Sequence, residues 1–272
     1  WVMDPFYNDH TAYGAILALL LPITIGMIFR SKFNRTHKFY LSIAAFIMLL
    51  GIFLSHSRAT WMSIAFSIGF AVILVSKIKF RYVIFAGLVV GSVLYVNMDN
   101  ILMKLEKNRQ DSSAEFVEHV QSMTNISTDA SNLERINRWN AAMRMFFDNP
   151  ITGVGPGTYQ FLYAPYQKAK DKTIISTNAG DLGNAHSEYI TPLTERGIFG
   201  LLFFLGIVFC VFYFGIVSYN KLEDTEDKLI VASLLTGLVS YLVHGFMNNF
   251  LDTDVASIIF WGFIVIIVNY SL

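Results

Sequence analysis

Seven stretches of this chain run long and apolar without a single Lys, Arg or Glu: Thr11–Phe29, Phe39–Leu54, Thr60–Ser76, Tyr82–Met98, Ile198–Tyr219, Leu229–Phe246 and Thr253–Tyr270. A helix that crosses the hydrocarbon of a bilayer needs roughly 20 mostly apolar residues. An aqueous globule could not bury so many such segments in 272 residues, of which only 15% are charged and 54% hydrophobic. The pattern therefore predicts an all-α polytopic membrane protein with seven transmembrane helices. Disorder is excluded by the same abundance of apolar residues. A lone Cys210 excludes a disulfide framework and a cysteine-based metal site. A net charge of +0 gives no reason to expect a nucleic-acid partner.

The short loops predict an orientation. Arg30, Lys32, Arg35, Lys38, Lys77, Lys79, Arg81, Lys221 and Lys228 fall in alternate loops, whereas the short loops of the opposite face hold only Arg58. Positive-inside bias places the basic loops in the cytoplasm, with the N-terminus outside and the C-terminus inside. The expected organisation is membrane helices over 1–98, an extracytoplasmic segment over 99–185, and membrane helices over 186–272. The chain opens at Trp1 with no initiator Met or signal peptide, and is expected to be a C-terminal fragment lacking upstream helices.

This topology collects polar residues on the outer face: Asn8, Asp9, His10, then Ser55–Arg58, then His186, Glu188 and Glu195, then His244, Asn248, Asn249, Asp252 and Asp254. The outer segment carries helical patterns of its own. Ser112-x-x-Glu115 resembles a capping box before Phe116, Val117, Val120 and Met123. A second amphipathic run places Ile136, Trp139, Met143, Phe146 and Phe147 on one face and Arg135, Arg138 and Arg144 on the other, with Trp139 suited to anchor in the headgroup layer. The segment reads as a plain cover or as a lid carrying arginines over a lipid-borne anion. Gly153–Gly157 reads as an anion-cradling nest or as a tight turn. Asp252-x-Asp254 reads as a weak cation site or a helix N-cap. No GxxxxGK[ST] supports nucleotide hydrolysis, and no HExxH supports zinc.

Ser55-His-Ser-Arg-Ala-Thr-Trp61 resembles the SRxxW element of bacterial O-antigen ligases and polymerases. Arg135-x-x-x-Trp139 followed by Asn149-Pro-x-x-Gly-Val-Gly-Pro-Gly157 resembles the family's RxxxW and glycine-rich stretch. Asn184-Ala-His-Ser-Glu-Tyr-Ile190, with Leu193-Thr-Glu-Arg-Gly197 and Gly200, is similar to its H-N-x-Y-L-x-x-L-x-E-x-G-x-x-G signature, Ser187 standing where Asn is common. The resemblance extends to the related protein O-oligosaccharyltransferases and covers almost the whole chain.

What the resemblance implies is an inverting glycosyltransferase of the GT-C type in the bacterial inner membrane, its site facing the periplasm. The donor would be a glycan on undecaprenyl diphosphate and the acceptor a hydroxyl, of lipid A-core for a ligase or of a growing glycan for a polymerase. His186, Arg58 and Arg135 correspond to the family's essential positions, with Glu195 as a supporting carboxylate. Arg138, Trp139, Ser57 and Tyr189, in the same motifs, are substrate-binding candidates. The chemistry suits these types: arginine grips phosphate oxygens and stays charged, and histidine takes a proton near neutrality. No metal or cofactor is required by such a reaction. A transporter or flippase for the lipid-linked glycan is the alternative of another class, but its polar groups would belong near the midplane.

Overall fold

The computed structural model describes Tyr7, residues 9–78, Tyr82, 130–173, 176–177 and 183–272. The predicted span Tyr82–Met98 beyond Tyr82, the Ser112–Met123 helix and Asn8 lie outside the described residues.

All regular structure in the described residues is helical. The elements are α1 (His10–Ile28), α2 (Arg35–Leu54), α3 (Arg58–Val75), α4 (Ala130–Asp148), the single turn α5 (Tyr159–Leu162), α6 (Ile190–Lys221), α7 (Thr225–His244) and α8 (Asp254–Ser271). Among them α1, α2, α3, α6 and α7 are long and apolar enough to cross a membrane, and the apolar part of α8 is somewhat shorter. The protein is a polytopic membrane protein.

α7 is the hub, with 12 of its 20 residues buried. Small residues let its neighbours close in, as expected where lipid is as apolar as the helices themselves. A Cβ added at Gly237 would lie 2.4 Å from the Leu19 carbonyl of α1, and one at Gly26 would lie 2.3 Å from Ser233 Oγ. On the other flank Ser63 and Ser240 share a hydrogen bond of 3.1 Å, and Ser67 donates to the Thr236 carbonyl at 3.1 Å. In both pairs the numbering rises on one helix as it falls on the other. α1 and α3 are therefore antiparallel to α7, and the starts of α1 and α3 meet the end of α7.

α2 packs on α1, where Gly51 faces Tyr13 and Leu17, and buries only Ala45 and Ile52. α8 sends Phe260, Phe263 and Ile267 into the core shared with α7, while Gly215 of α6 faces Leu235 and Ile267. The remaining apolar surface stays open, with Phe46, Phe203 and Phe209 all about two-thirds exposed. Such faces are normal only against lipid.

α6 breaks at Gly197, whose φ of 67° and ψ of −166° are not helical. Ile190–Arg196 is a short helix outside the shaft, and the straight apolar shaft begins at Ile198. The sequence expectation of Ile198–Tyr219 matches the shaft. What it missed is the preceding helix, because Thr194, Glu195 and Arg196 interrupt the apolar run.

Candidate active site

The starts of α1, α3, α6 and α8 and the end of α7 share one rim. The α2–α3 turn is held from both sides. Trp61 Nε1 donates to the Ile52 carbonyl at 3.4 Å and stacks on Phe53, with centroids 6.0 Å apart. Buried Ser57 caps α3 by accepting from the Thr60 amide at 3.4 Å. Arg58 follows as the first residue of α3, half-buried. A cation there opposes the helix dipole, so helix stability does not explain it.

α4 packs on the protein through its polar side. Among its described residues Glu134, Asn137, Arg138, Ala141, Ala142 and Met145 are buried, a face opposite to the apolar stripe of Ile136, Trp139, Met143, Phe146 and Phe147. A polar network holds the buried face. Arg138 Nε donates to Glu134 Oε1 at 2.9 Å, its guanidinium lies 5.1 Å from the Tyr163 ring centroid, and its carbonyl accepts from Tyr159 Oη at 2.9 Å. Burial works to raise the Glu134 carboxyl, but hydrogen bonds from Ser176, Arg138 and Thr173 outweigh it and hold the group below its ordinary value. Arg138 is thus neutralised inside the fold. Half-buried Trp139 lies on the stripe, and no described group accepts from its buried indole Nε1.

Arg135 sits at the boundary between the two faces and crosses to the rim, its Nε donating to the Met247 carbonyl of the α7–α8 loop at 3.2 Å. Beside it lies His186, whose backbone is held in the left-handed region, φ 47°, a conformation uncommon outside glycine. The Asn184 side chain fixes that turn by accepting from the His186 amide at 3.0 Å. No described residue hydrogen-bonds the imidazole. Burial, then the charges of Arg138 and Arg135, push its pKa down from 6.5 to about 4, while Asp9 and Glu134 pull the other way. The ring is neutral at physiological pH with a free lone pair.

The next residues close the rim. Ser187 Oγ accepts from the Tyr189 and Ile190 amides, and Tyr189 Oη donates to the Leu242 carbonyl at 2.9 Å. Tyr189 also stacks on Phe246 with centroids 4.4 Å apart, and burial pushes its phenol up to about 12. Buried Glu188 accepts from Tyr241 Oη at 2.6 Å and from the Leu251 amide at 2.9 Å, and burial pushes its carboxyl up to about 7. His244 is buried beside Asp9, Arg135 and the backbone of Ala59, with Asn248 Nδ2 3.1 Å from its Nε2.

Glu195 has a different setting. Its carboxylate accepts from the Gly157 amide at 2.8 Å and from the Tyr159 amide at 3.1 Å, and its carbonyl accepts from Gly155 at 2.9 Å. The glycine-rich turn is therefore a nest, but the anion it cradles is Glu195. Tightness explains the glycines: a Cβ on Gly153 would lie 2.3 Å from the Glu195 backbone, and one on Gly197 would lie 2.2 Å from the Ile151 carbonyl. The Asp252-x-Asp254 alternatives resolve otherwise as well, since Asp252 accepts from Asn249 Nδ2 at 2.9 Å and α8 takes Thr253 at its N-cap.

The sequence profile of the Wzy_C O-antigen ligase family matches residues 43–205. This chain belongs to that family. No curated protein sequence matches it. Membership in the O-antigen ligase family carries glycan transfer of the ligase or polymerase type, and so glycosyltransferase activity. The matched segment of this O-antigen ligase family member runs from inside α2 into the shaft of α6 and holds Arg58, Arg135, His186 and Glu195. Asp9 and His244 lie outside it and reach the same rim through α1 and α7. Sequence reasoning gathered both at the outer face without giving either a role, and it overlooked Glu134 altogether. The four-residue spacing of Glu134 and Arg138 on one helix was the available signal.

Proposed function

We propose that the protein transfers a glycan from undecaprenyl diphosphate to an acceptor hydroxyl at the periplasmic face of the bacterial inner membrane, with inversion at the sugar. The acceptor oxygen attacks the anomeric carbon, the bond to the lipid diphosphate breaks, and the hydroxyl proton passes to His186. Arg58 and Arg135 take up the charge developing on the diphosphate, where a water-poor rim makes each contact stronger. The observation that carries this reading is the His186 ring, neutral and unbonded by any described group, in the field of Arg135. A diphosphate arriving beside it favours the imidazolium and so strengthens the base as the complex forms.

Supporting parts fall to other residues. Glu195 holds the glycine turn against α6, and Ser57, Tyr189, Arg138 and Trp139 shape the rim and α4. Orientation rests on the basic loops at the opposite end of the bundle. A GT-C arrangement of seven spans in this chain, with Tyr82–Met98 as the fourth and 99–185 as the outer segment, completes the proposal. Lipid A-core is the acceptor in the ligase form, a growing glycan in the polymerase form.

The test is transfer by purified protein from a lipid-linked glycan to each acceptor separately. Glycan on lipid A-core supports the ligase, and elongated lipid-linked glycan supports the polymerase. Movement of the intact donor across vesicles without transfer would support the flippase instead and refute the proposal.

A further inference from the structure

The outer segment exposes a second surface that glycan transfer does not use. Phe147 (70%), Ile151 (64%), Phe161 (61%) and Leu162 (43%) stand open, and none belongs to a membrane span. On a water-facing domain such a grouping would be unusual. Phe161 and Leu162 line a cleft of about 360 Å³ with Val154, Pro165 and Tyr166.

This surface joins the α6 shaft directly. The Ile198 amide donates to the Pro150 carbonyl at 2.8 Å, so Ile151 begins where exposed Ile198 and Phe199 begin. The shaft ends at Tyr219-Asn220-Lys221, an interfacial signature. About 20 helical residues cross the roughly 30 Å of hydrocarbon, and counting back from Tyr219 reaches Phe199. Ile151 and its neighbours therefore stand at the hydrocarbon boundary on the same side as His186. Lys168 and Lys170, beyond the cleft, are exposed.

We propose that Phe147, Ile151, Phe161 and Leu162 form a wedge that inserts among the lipid acyl chains of that leaflet. The wedge is tied to the site's supports: Glu195 binds the Gly157 amide, and Arg144 of α4 donates to the Tyr166 carbonyl at 2.7 Å. Insertion sets the height of α4, and with it Arg135, above the leaflet.

The experiment uses the full chain with Cys210→Ser, reconstituted in vesicles of phosphatidylethanolamine and phosphatidylglycerol, with a nitroxide at one new cysteine per variant. Phe161→Cys and Phe147→Cys report the wedge, Phe203→Cys on the shaft is the lipid reference, and Lys170→Cys is the water reference. The expected result is that both wedge labels collide with oxygen as the Phe203 label does and are shielded from a water-soluble nickel chelate. Nickel accessibility matching the Lys170 label would overturn the wedge. Protection from both reagents would overturn it too, because the surface would then be covered by protein, a second copy included. Neither outcome bears on whether the protein transfers glycan.

Discussion

The two ends of the helix bundle hold similar residues in opposite conditions. At the α1–α2 end, Arg30 stands 3.7 Å from Glu226, which also accepts from the Ser31 amide, and Arg35 and His37 are exposed. At the other end, Arg135, Arg138, His186, Glu188 and His244 are partly or wholly buried, and His186 and Glu188 leave their ordinary ionisation ranges in opposite directions. Water and salt screen the exposed cations of the first set, so they add little to stability. The second set lost its water, and burial drives His186 and Glu188 toward their neutral forms. Desolvation rather than residue type separates the exposed end of the bundle from the candidate active site.

Exchanging matched residues between the ends tests that contrast. The largest effect is expected at histidine. His186→Ala should lower transfer by about 10²–10⁴-fold, the usual worth of a general base, with normal abundance in the membrane. His37→Ala, at the exposed end, should leave turnover unchanged. Equal turnover in the two variants would remove His186 from the mechanism.

Arginine comes next. Arg58→Lys and Arg135→Lys keep the charge but lose the guanidinium fork, and each should cut kcat/KM by roughly 10- to 100-fold, the range of a charged hydrogen bond. Arg30→Lys should stay within about twofold. Full activity of both rim variants would argue that a point charge suffices there.

A smaller effect belongs to the clasp that positions α6. Gly197→Ala forces a Cβ against the Ile151 carbonyl at a positive φ and should cost about 1–3 kcal/mol, read as a lower melting temperature in detergent. Gly206→Ala, in the shaft with open space around it, should be neutral or slightly stabilising.

The gentlest contrast is in pH. His186 is held at about 4 in the fold against 6.5 unfolded, so it opposes folding progressively as pH falls from 6.5 to 4. Glu188 is held at about 7 against 4.5 unfolded, so its protonation favours the fold as pH falls from 7 to 4.5 and is lost as pH rises. The two slopes oppose each other between about pH 6.5 and 4.5. Glu188→Gln removes one of them, and its melting temperature should fall more steeply on acidification than that of the parent. Activity of the resting enzyme, read as kcat/KM, should hold down to about pH 5 and drop near 4; an acid limb centred at 6.5 would show that His186 is not desolvated as described.

Much of this was legible from residues alone. Apolar length marked α1, α2, α3, the α6 shaft, α7 and α8, because lipid leaves no other way to satisfy a buried backbone. The motifs around Arg58, Arg135 and His186 also announced their family. α4 was half legible. Its helix and its two faces followed from periodicity, but the pairing of Glu134 with Arg138 inside the fold did not, because the sequence reading weighed Arg138 without Glu134. Glu195 shows the same limit. Its partners are amides of a turn some 38 residues away, and amides carry no sequence signature.

The sequence by itself determined which segments can cross a bilayer, which loops carry the orienting charge, and which chemical groups the chain can bring to one side. Those properties depend on local composition, and composition survives without knowledge of contacts. Only the tertiary structure decided that Arg138 is consumed by Glu134 while Arg135 reaches the rim, and that Glu195 fills its own nest. Each depends on how far water is excluded from a charge and which partner replaces it. Both are set by distant residues meeting in space.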